Sequence, residues 1–351
     1  MPLKVGFVYP SPRRALAAEV GAGRAPDTTL LGQNHLGAHG IQASIVDSLL
    51  TQVRWRWPFI RRLAWNLREV TAPFEAGPSD VLLTTVANVM PLCARLRRRV
   101  QVVVLNYGLC VIYTRSGRTR RRILSASLSS ASHVVCLGES QRAELLSQID
   151  LPQERVHVVR LGVDERYFIP RPEADGTGPD VLSAGRDLAR DYKTLADALS
   201  GLDVRAEIGA FPHNVANISF PRHTRVRWVD IATLRTLYTG AGVIVIPQRA
   251  DGYRYGSEGG GLTAFLEASA MARPIVATER AILHDYARDG ENALLVPAED
   301  PAALREAITT VLGNRELANR LGSAARRRVE SELTTRHFAE NIAPILHAAA
   351  P

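Results

Sequence analysis

Short runs of Val, Ile and Leu recur along the chain, and amphipathic stretches of helical length separate them. In the first half these runs lie at residues 3–9, 43–46, 81–85, 100–105 and 133–137. They are too brief for buried helices and too uniformly apolar for half-exposed strands, which reads as strands covered on both faces. Helices are expected over 61–69, 120–130 and 141–149, the last with Ser140 as N-cap. A stretch with prolines and glycines, 167–179, marks a linker. A second alternation follows, with strands expected at 181–184, 205–208, 226–228, 243–247 and 274–278. The helices between and after them are expected at 193–199, 234–239, 262–271, 302–312 and 318–332. Such alternation implies mostly parallel sheets with helices on both faces. The expected fold class is therefore α/β, with two doubly wound Rossmann-like domains facing a central cleft. Ligands in such sheets bind beyond the carboxyl ends of the strands.

The bulk properties fit that outline. At 351 residues the chain exceeds one ordinary core and suits two domains. No apolar run approaches the ~20 residues needed to span a bilayer. The start runs straight into a strand pattern without the charged and hydrophobic regions of a signal peptide. Three cysteines, Cys93, Cys110 and Cys136, lie far apart without metal-type spacing, as expected of small core residues in a reducing compartment. A cytoplasmic protein is expected. The net charge of +8 is uneven: residues 1–165 hold 21 Lys and Arg against 12 Asp and Glu. Clusters at Arg95, Arg97, Arg98 and Arg99 and at Arg118, Arg120, Arg121 and Arg122 are either solvated helix faces or a field for anionic partners.

Several common chemistries fail. There is no Walker-type GxxxxGK[ST], and no GxGxxG follows the first strand. Gly138-Glu-Ser-Gln-Arg142 lacks the second glycine of a nucleophile elbow. No His-x-x-x-His spacing suggests a catalytic zinc, so no metal site is expected.

Two segments do carry chemistry. Gly259, Gly260 and Gly261 stand just before the apolar run from Leu262. A backbone without Cβ atoms approaches a ligand closely, and free amides at a helix start attract a diphosphate. Glu267 follows about one turn into that helix, placed either to accept hydrogen bonds from sugar hydroxyls or simply to face solvent. The second segment is Ser183-Ala-Gly-Arg-Asp-Leu-Ala-Arg-Asp-Tyr-Lys-Thr-Leu195. There Arg186 and Lys193 flank a loop, a planar donor fork and a point charge suited to a diphosphate. The alternative is surface pairing with Asp187 and Asp191.

Gly185-Arg186 with a following lysine, then Leu266-Glu-Ala-x-Ala-Met-Ala-Arg-Pro-Ile-Val-Ala-Thr278, resembles the retaining glycosyltransferases of family 4, which have the GT-B fold. Arg160-Leu-Gly-Val-Asp164, Val226-Arg-Trp-Val-Asp230, Asp289-Gly-Glu-Asn-Ala-Leu-Leu-Val-Pro297 and Asp300-Pro301 extend the resemblance. It points to an actinobacterial-type enzyme acting on small molecules or glycans. It implies that Arg186 and Lys193 hold the donor diphosphate. Glu267 would match the second glutamate of the family's Glu-x7-Glu pair, on the nucleotide ribose. Gly260, Gly261, Leu262 and Thr263 would present amides, and Trp228 and Asp230 would lie near the base. The family's first glutamate falls at Gly259, one residue after Glu258, so Glu258 serves only if the loop absorbs an insertion. The family's N-terminal histidine has no counterpart; Asn88 and Asn106 stand at the strand ends instead, able to hydrogen-bond a sugar but not to carry a proton.

The expected enzyme thus moves a sugar, with retention, from a nucleoside-diphosphate donor, UDP- or GDP-linked, to a small-molecule, sugar or lipid-linked acceptor hydroxyl. It would need no permanently bound cofactor. The expected domains are an acceptor-binding one at 1–165, a nucleotide-sugar one at 166–332, and a helix at 333–351 crossing back to the first. Two rivals are a non-catalytic sugar-nucleotide binder and a basic protein docking on a membrane or nucleic acid. The mixed stretch Arg54-Trp-Arg-Trp-Pro-Phe-Ile-Arg-Arg62 suits an acceptor pocket or a helix end, the favoured readings, or peripheral membrane contact, whereas no nucleic-acid motif is present.

Overall fold

The computed structural model describes residues 1–47, 58–85, 87–97, 100–171 and 176–351, with side chains from 58–66 excepted. The aromatic–basic stretch 54–62 and the cluster members Arg98 and Arg99 thus lie, wholly or in their side chains, outside the described residues. The chain divides into two compact units. The first comprises Met1–Gly23, Asp27–Arg160 and Thr335–Pro351; the second comprises Arg24–Pro26 and Leu161–Thr334.

The first unit is built on a parallel six-stranded sheet. Its strands are β1 (Leu3–Val8), β2 (Ile41–Ile45), β3 (Val81–Thr84), β4 (Gln101–Leu105), β5 (His133–Cys136) and β6 (Val156–Val158), in the order β2-β1-β3-β4-β5-β6. Around them run α1 (Arg14–Gly21), α2 (Pro58–Glu75), α3 (Met90–Ala94), α4 (Leu109–Arg115), α5 (Arg118–Ser129) and α6 (Glu139–Gln148). Val81–Thr84 is buried at every position, and Val103, Val104 and Leu105 are fully buried, as strands covered on both faces require.

The second unit repeats the plan with β7 (Val181–Ala184), β8 (Ala206–Gly209), β9 (Thr224–Arg227), β10 (Val243–Ile246), β11 (Ile275–Thr278) and β12 (Leu294–Val296). Their order is β12-β11-β10-β7-β8-β9, again all parallel. Its helices are α7 (Tyr192–Leu199), α8 (Pro212–Val215), α9 (Ile231–Gly240), α10 (Leu262–Ala270), α11 (Pro301–Gly313) and α12 (Arg315–Glu332). Short polar side chains start four of them: Asp191, Asp230, Asp300 and Asn314 each accept a backbone N–H from the first turn. The chain runs outward from β7 through β8 to β9, then returns to place β10 on the other side of β7. That reversal makes the exits of β7 and β10 the switch point of this sheet.

The last helix, α13 (Thr335–Ala348), belongs to the first unit. His347 near its end meets the His39 carbonyl at 2.9 Å. Among the described residues no helix is long and apolar enough to cross a membrane.

Some expectations need correction. Ser140 is not a cap; Gly138 precedes α6 without a side-chain hydrogen bond, and the Gln141 Oε1 accepts the Leu137 N–H at 2.7 Å instead. The three-residue strands β6 and β12 and the helices α1, α3 and α4 were not expected, because segments so short carry little periodicity. Trp228 falls just beyond the end of β9 rather than within it.

Candidate functional site

Two loops leave the switch point and lace together. The Asp191 N–H donates to the Pro247 carbonyl at 3.1 Å, and the Arg249 N–H to the Ala189 carbonyl at 2.8 Å. Arg190 and Gln248 thereby form an isolated antiparallel bridge. The glycines make this closeness possible. A Cβ at Gly256 would overlap Ala189, and one at Gly260 would lie 3.2 Å from the Asp187 carboxyl. Asp187 ties the loops further by accepting the Ser257 hydroxyl at 3.0 Å and its own loop's Ala189 N–H at 2.8 Å. From beneath, the buried Arg280 guanidinium reaches Asp251 at 2.9 Å and the Ser257 and Gly260 carbonyls at 3.4 Å.

Gly261 is the N-cap of α10 and sits at φ +91, in the left-handed region that favours glycine. No side chain caps this helix start. Within the turn, the Gly260 N–H bonds the Ser257 carbonyl and the Leu262 N–H bonds the Gly259 carbonyl. Two of the four amides assigned to a ligand from the sequence are therefore engaged internally. The Gly261 and Thr263 N–H groups make no such bond in the turn.

Arg190 is the group that sequence reasoning missed. Its side chain folds back over Gly185, where any Cβ would overlap the guanidinium. It is 7 % exposed, and Nη2 donates to the Ala184 carbonyl at 2.9 Å. Nε and Nη1 are buried with no hydrogen-bond partner. A buried charge with two unmet donors is costly to hold, by several kcal/mol in typical proteins, unless an anion arrives to accept them. The signal was present as Gly185 five residues earlier, but only the fold shows that the arginine curls back over it. Arg186 is exposed at the same loop. Lys193 is engaged elsewhere: its Nζ pairs with Asp197, one turn on along the exposed face of α7. The aspartates named as alternative partners act differently, Asp187 on the glycine loop and Asp191 as the α7 cap.

Glu267 does not face solvent. It is 6 % exposed in the second turn of α10, and its Oε2 accepts the buried Tyr238 hydroxyl at 3.3 Å. Burial pushes its carboxyl up to about 7, opposed by the Tyr238 hydrogen bond and the Arg190 charge. Arg190 and Glu267 are thus electrostatic neighbours. Gln248, 1 % exposed, has neither amide atom hydrogen-bonded, and its Nε2 is 2.9 Å from where a Gly261 Cβ would be. Glu258 is buried in the turn ahead of the glycines.

At the exits of β8 and β9 the aromatic rings of Trp228 and Phe211 stack, with centroids 4.1 Å apart and planes within 6°. His213 also stacks with Phe211, with centroids 5.6 Å apart. Trp228 remains half exposed, and the Asn214 amide connects this layer to the Asp187 carbonyl at 3.2 Å. Asp230 is committed to capping α9 through the Thr233 N–H, which holds its carboxyl below the ordinary carboxylate range.

The two asparagines of the first unit have local duties. Asn88 lies between Glu69 and Arg120, donating to the first and accepting from the second. Asn106 is fully buried; its oxygen accepts the Gly108 and Leu109 N–H groups at 3.0 and 2.8 Å, which shapes the turn into α4. A side chain so enclosed cannot meet a sugar.

This geometry can be set beside known proteins. Residues 223–328 match the family Glycosyl transferases group 1. WcaL of Escherichia coli (strain K12), whose name places it as a glycosyltransferase in colanic acid biosynthesis, is 27% identical over 225 residues, 58% of this chain and 53% of that protein. The chain thus spans about half the length of this relative. Among solved structures, the sucrose-phosphate synthase of Thermosynechococcus elongatus has a TM-score of 0.73 at 18% identity, covering 98% of each chain. Anabaena HepE in complex with UDP has a TM-score of 0.70 at 14% identity, covering 99% of this chain and 100% of that one. The two six-stranded parallel units are the GT-B fold, and the stretch that matches the group 1 model lies in the second.

Proposed function

We propose that the protein is a retaining glycosyltransferase that moves a sugar from a nucleoside-diphosphate donor to an acceptor hydroxyl. The observation that carries this reading is the buried Arg190 guanidinium, with Nε and Nη1 unpaired at the switch point, beside an uncapped helix start. Arg190 and the exposed Arg186 would take the diphosphate, with the Gly261 and Thr263 amides adding the positive helix end. As the bond to the sugar breaks, charge gathers on the leaving phosphate, and donors already fixed in place stabilise it without reorganising. Glu267 would accept ribose hydroxyls, Glu258 would meet the sugar, and the Trp228–Phe211 layer would stack on the base. UDP is the favoured carrier because HepE, of similar fold, binds it; GDP is the alternative. The first unit would bind the acceptor, a small molecule, a sugar or a lipid-linked one.

Arg190→Lys and Arg190→Gln test the assignment. Each keeps a polar side chain over Gly185 but loses the planar fork. Turnover should fall by on the order of 10²-fold or more in Arg190→Gln, with a smaller UDP-induced thermal shift. Wild-type turnover in both variants, with an unchanged UDP shift, would sink the proposal. A second reading, a sugar-nucleotide binder without turnover, is favoured by the one-residue offset of Glu258 and by the absence of a counterpart to the N-terminal histidine. It predicts a UDP shift lost in Arg190→Gln with no hydrolysis or transfer in the wild type.

A further inference from the structure

Helix α5 of the first unit carries a feature that the donor site does not use. Arg118, Arg121, Arg122 and Ser125 follow the i, i+3, i+4, i+7 spacing of a single helix face, and together with Tyr113 they line a cavity of about 410 Å³. The Ser125 hydroxyl meets the Tyr113 hydroxyl at 3.4 Å. Arg121 is fixed in place: its guanidinium donates to the Tyr113 and Thr114 carbonyls and lies 5.5 Å over the Tyr113 ring. Arg120, on another face, reaches Asn88. Arg118 and Arg122 have no hydrogen bond or ion pair among the described residues, and neither α4 nor α5 contains an acidic residue.

Three cations on one stripe repel each other and weaken a helix by a few tenths of a kcal/mol per pair. Among the described residues no carboxylate pairs with them, and α5 already packs through Leu124, Ser127 and Leu128, so folding does not call for them. What the cluster offers is a fixed guanidinium, two adaptable ones and two hydroxyl groups converging on one cavity. A tetrahedral oxyanion, which accepts several charge-assisted hydrogen bonds at once, matches that set.

We propose that the Arg118–Arg121–Arg122 face with Tyr113 and Ser125 is a binding site for a phosphate monoester. The group comes either from a soluble phosphorylated compound or from a lipid headgroup. The proposal is independent of the donor site.

Inorganic phosphate is titrated by calorimetry into the wild type, R118Q/R122Q, R315Q/R327Q and R190Q. The control pair removes two exposed arginines from α12, so both doubles lose the same charge. The expected result is binding weakened on the order of tenfold or more in R118Q/R122Q and retained in both other variants. Equal weakening in the two doubles would reduce the site to net charge, and unchanged binding in R118Q/R122Q would remove it; either overturns the proposal, as does a wild type that takes up no phosphate outside the Arg190 site. Flotation with phosphatidylcholine vesicles, with and without phosphatidic acid, assigns the source. Capture only by phosphatidic acid vesicles, lost in R118Q/R122Q, indicates the lipid, and phosphate binding without capture indicates the soluble compound.

Discussion

Glu267→Gln should stabilise the unliganded protein, and by an amount that depends on pH. The wild-type carboxyl is buried beside Tyr238 and lifted from 4.5 to about 7. At ~1.36 kcal/mol per pH unit, its ionisation in the folded state is about 3 kcal/mol less favourable than in the unfolded chain. Because the folded pKa is the higher one, the folded protein binds the extra proton between the two values. Its stabilising contribution is therefore complete below pH 4.5, declines as pH rises, and is lost above about 7. Glutamine has nearly the same shape, can still accept the Tyr238 hydroxyl, and never ionises. The variant should thus match the wild type near pH 4.5 and exceed it by about 3 kcal/mol at pH 8. Urea unfolding of both proteins across this range measures the difference, and subtraction removes the pH dependence of every other group. A stability gap that stays constant from pH 4.5 to 8 would refute the argument. If Glu267 accepts ribose hydroxyls as proposed, the stabilised variant should also bind UDP more weakly, a trade common at binding sites.

Other regions give independent tests. His157 Nε2 and His133 Nδ1 lie 2.9 Å apart on neighbouring strands, and burial holds both rings below the ordinary histidine value. A depressed pKa means that the unfolded chain takes up protons first, so this pair's contribution is present above about pH 6.5 and lost as pH falls; His133→Asn should flatten the acid limb of a stability profile. Gly322 in α12 packs directly against the Ala272 carbonyl, where a Cβ would overlap backbone. Gly322→Ala should therefore destabilise by about 1–3 kcal/mol despite its better helix propensity, seen as a lower Tm, and an unchanged Tm would show that α12 can shift at no cost.

Much of the fold was legible because buried parallel strands advertise themselves. Val243–Ile246 is short, branched and apolar, Val181–Ala184 is short and buried throughout, and Asp300-Pro301 opens α11 with a cap and a residue that suits the first helical turn. The turn ahead of α10 was legible too, since three glycines before an apolar run mark a close backbone approach and a helix start. Side-chain destinations were less so. Spacing placed cations at Arg186 and Lys193 after Gly185 but gave no sign that Arg190, just ahead of the α7 cap, would be the buried one. Asn106 looked available at a strand end, whereas the fold encloses it beneath the turn that it shapes.

The sequence by itself determined that two α/β units would form and that a glycine turn would lead into a helix at Leu262, because local periodicity and missing Cβ atoms are written residue by residue. Only the tertiary structure decided which charges are buried there. Arg190 is turned inward by the space over Gly185 and by the laced loops at the switch point, while Lys193, three residues on, is carried out to Asp197 on an exposed helix face. Burial, and with it the raised carboxyl of Glu267 and the unmet donors of Arg190, arises from segments some sixty to eighty residues apart coming together, which no local pattern records.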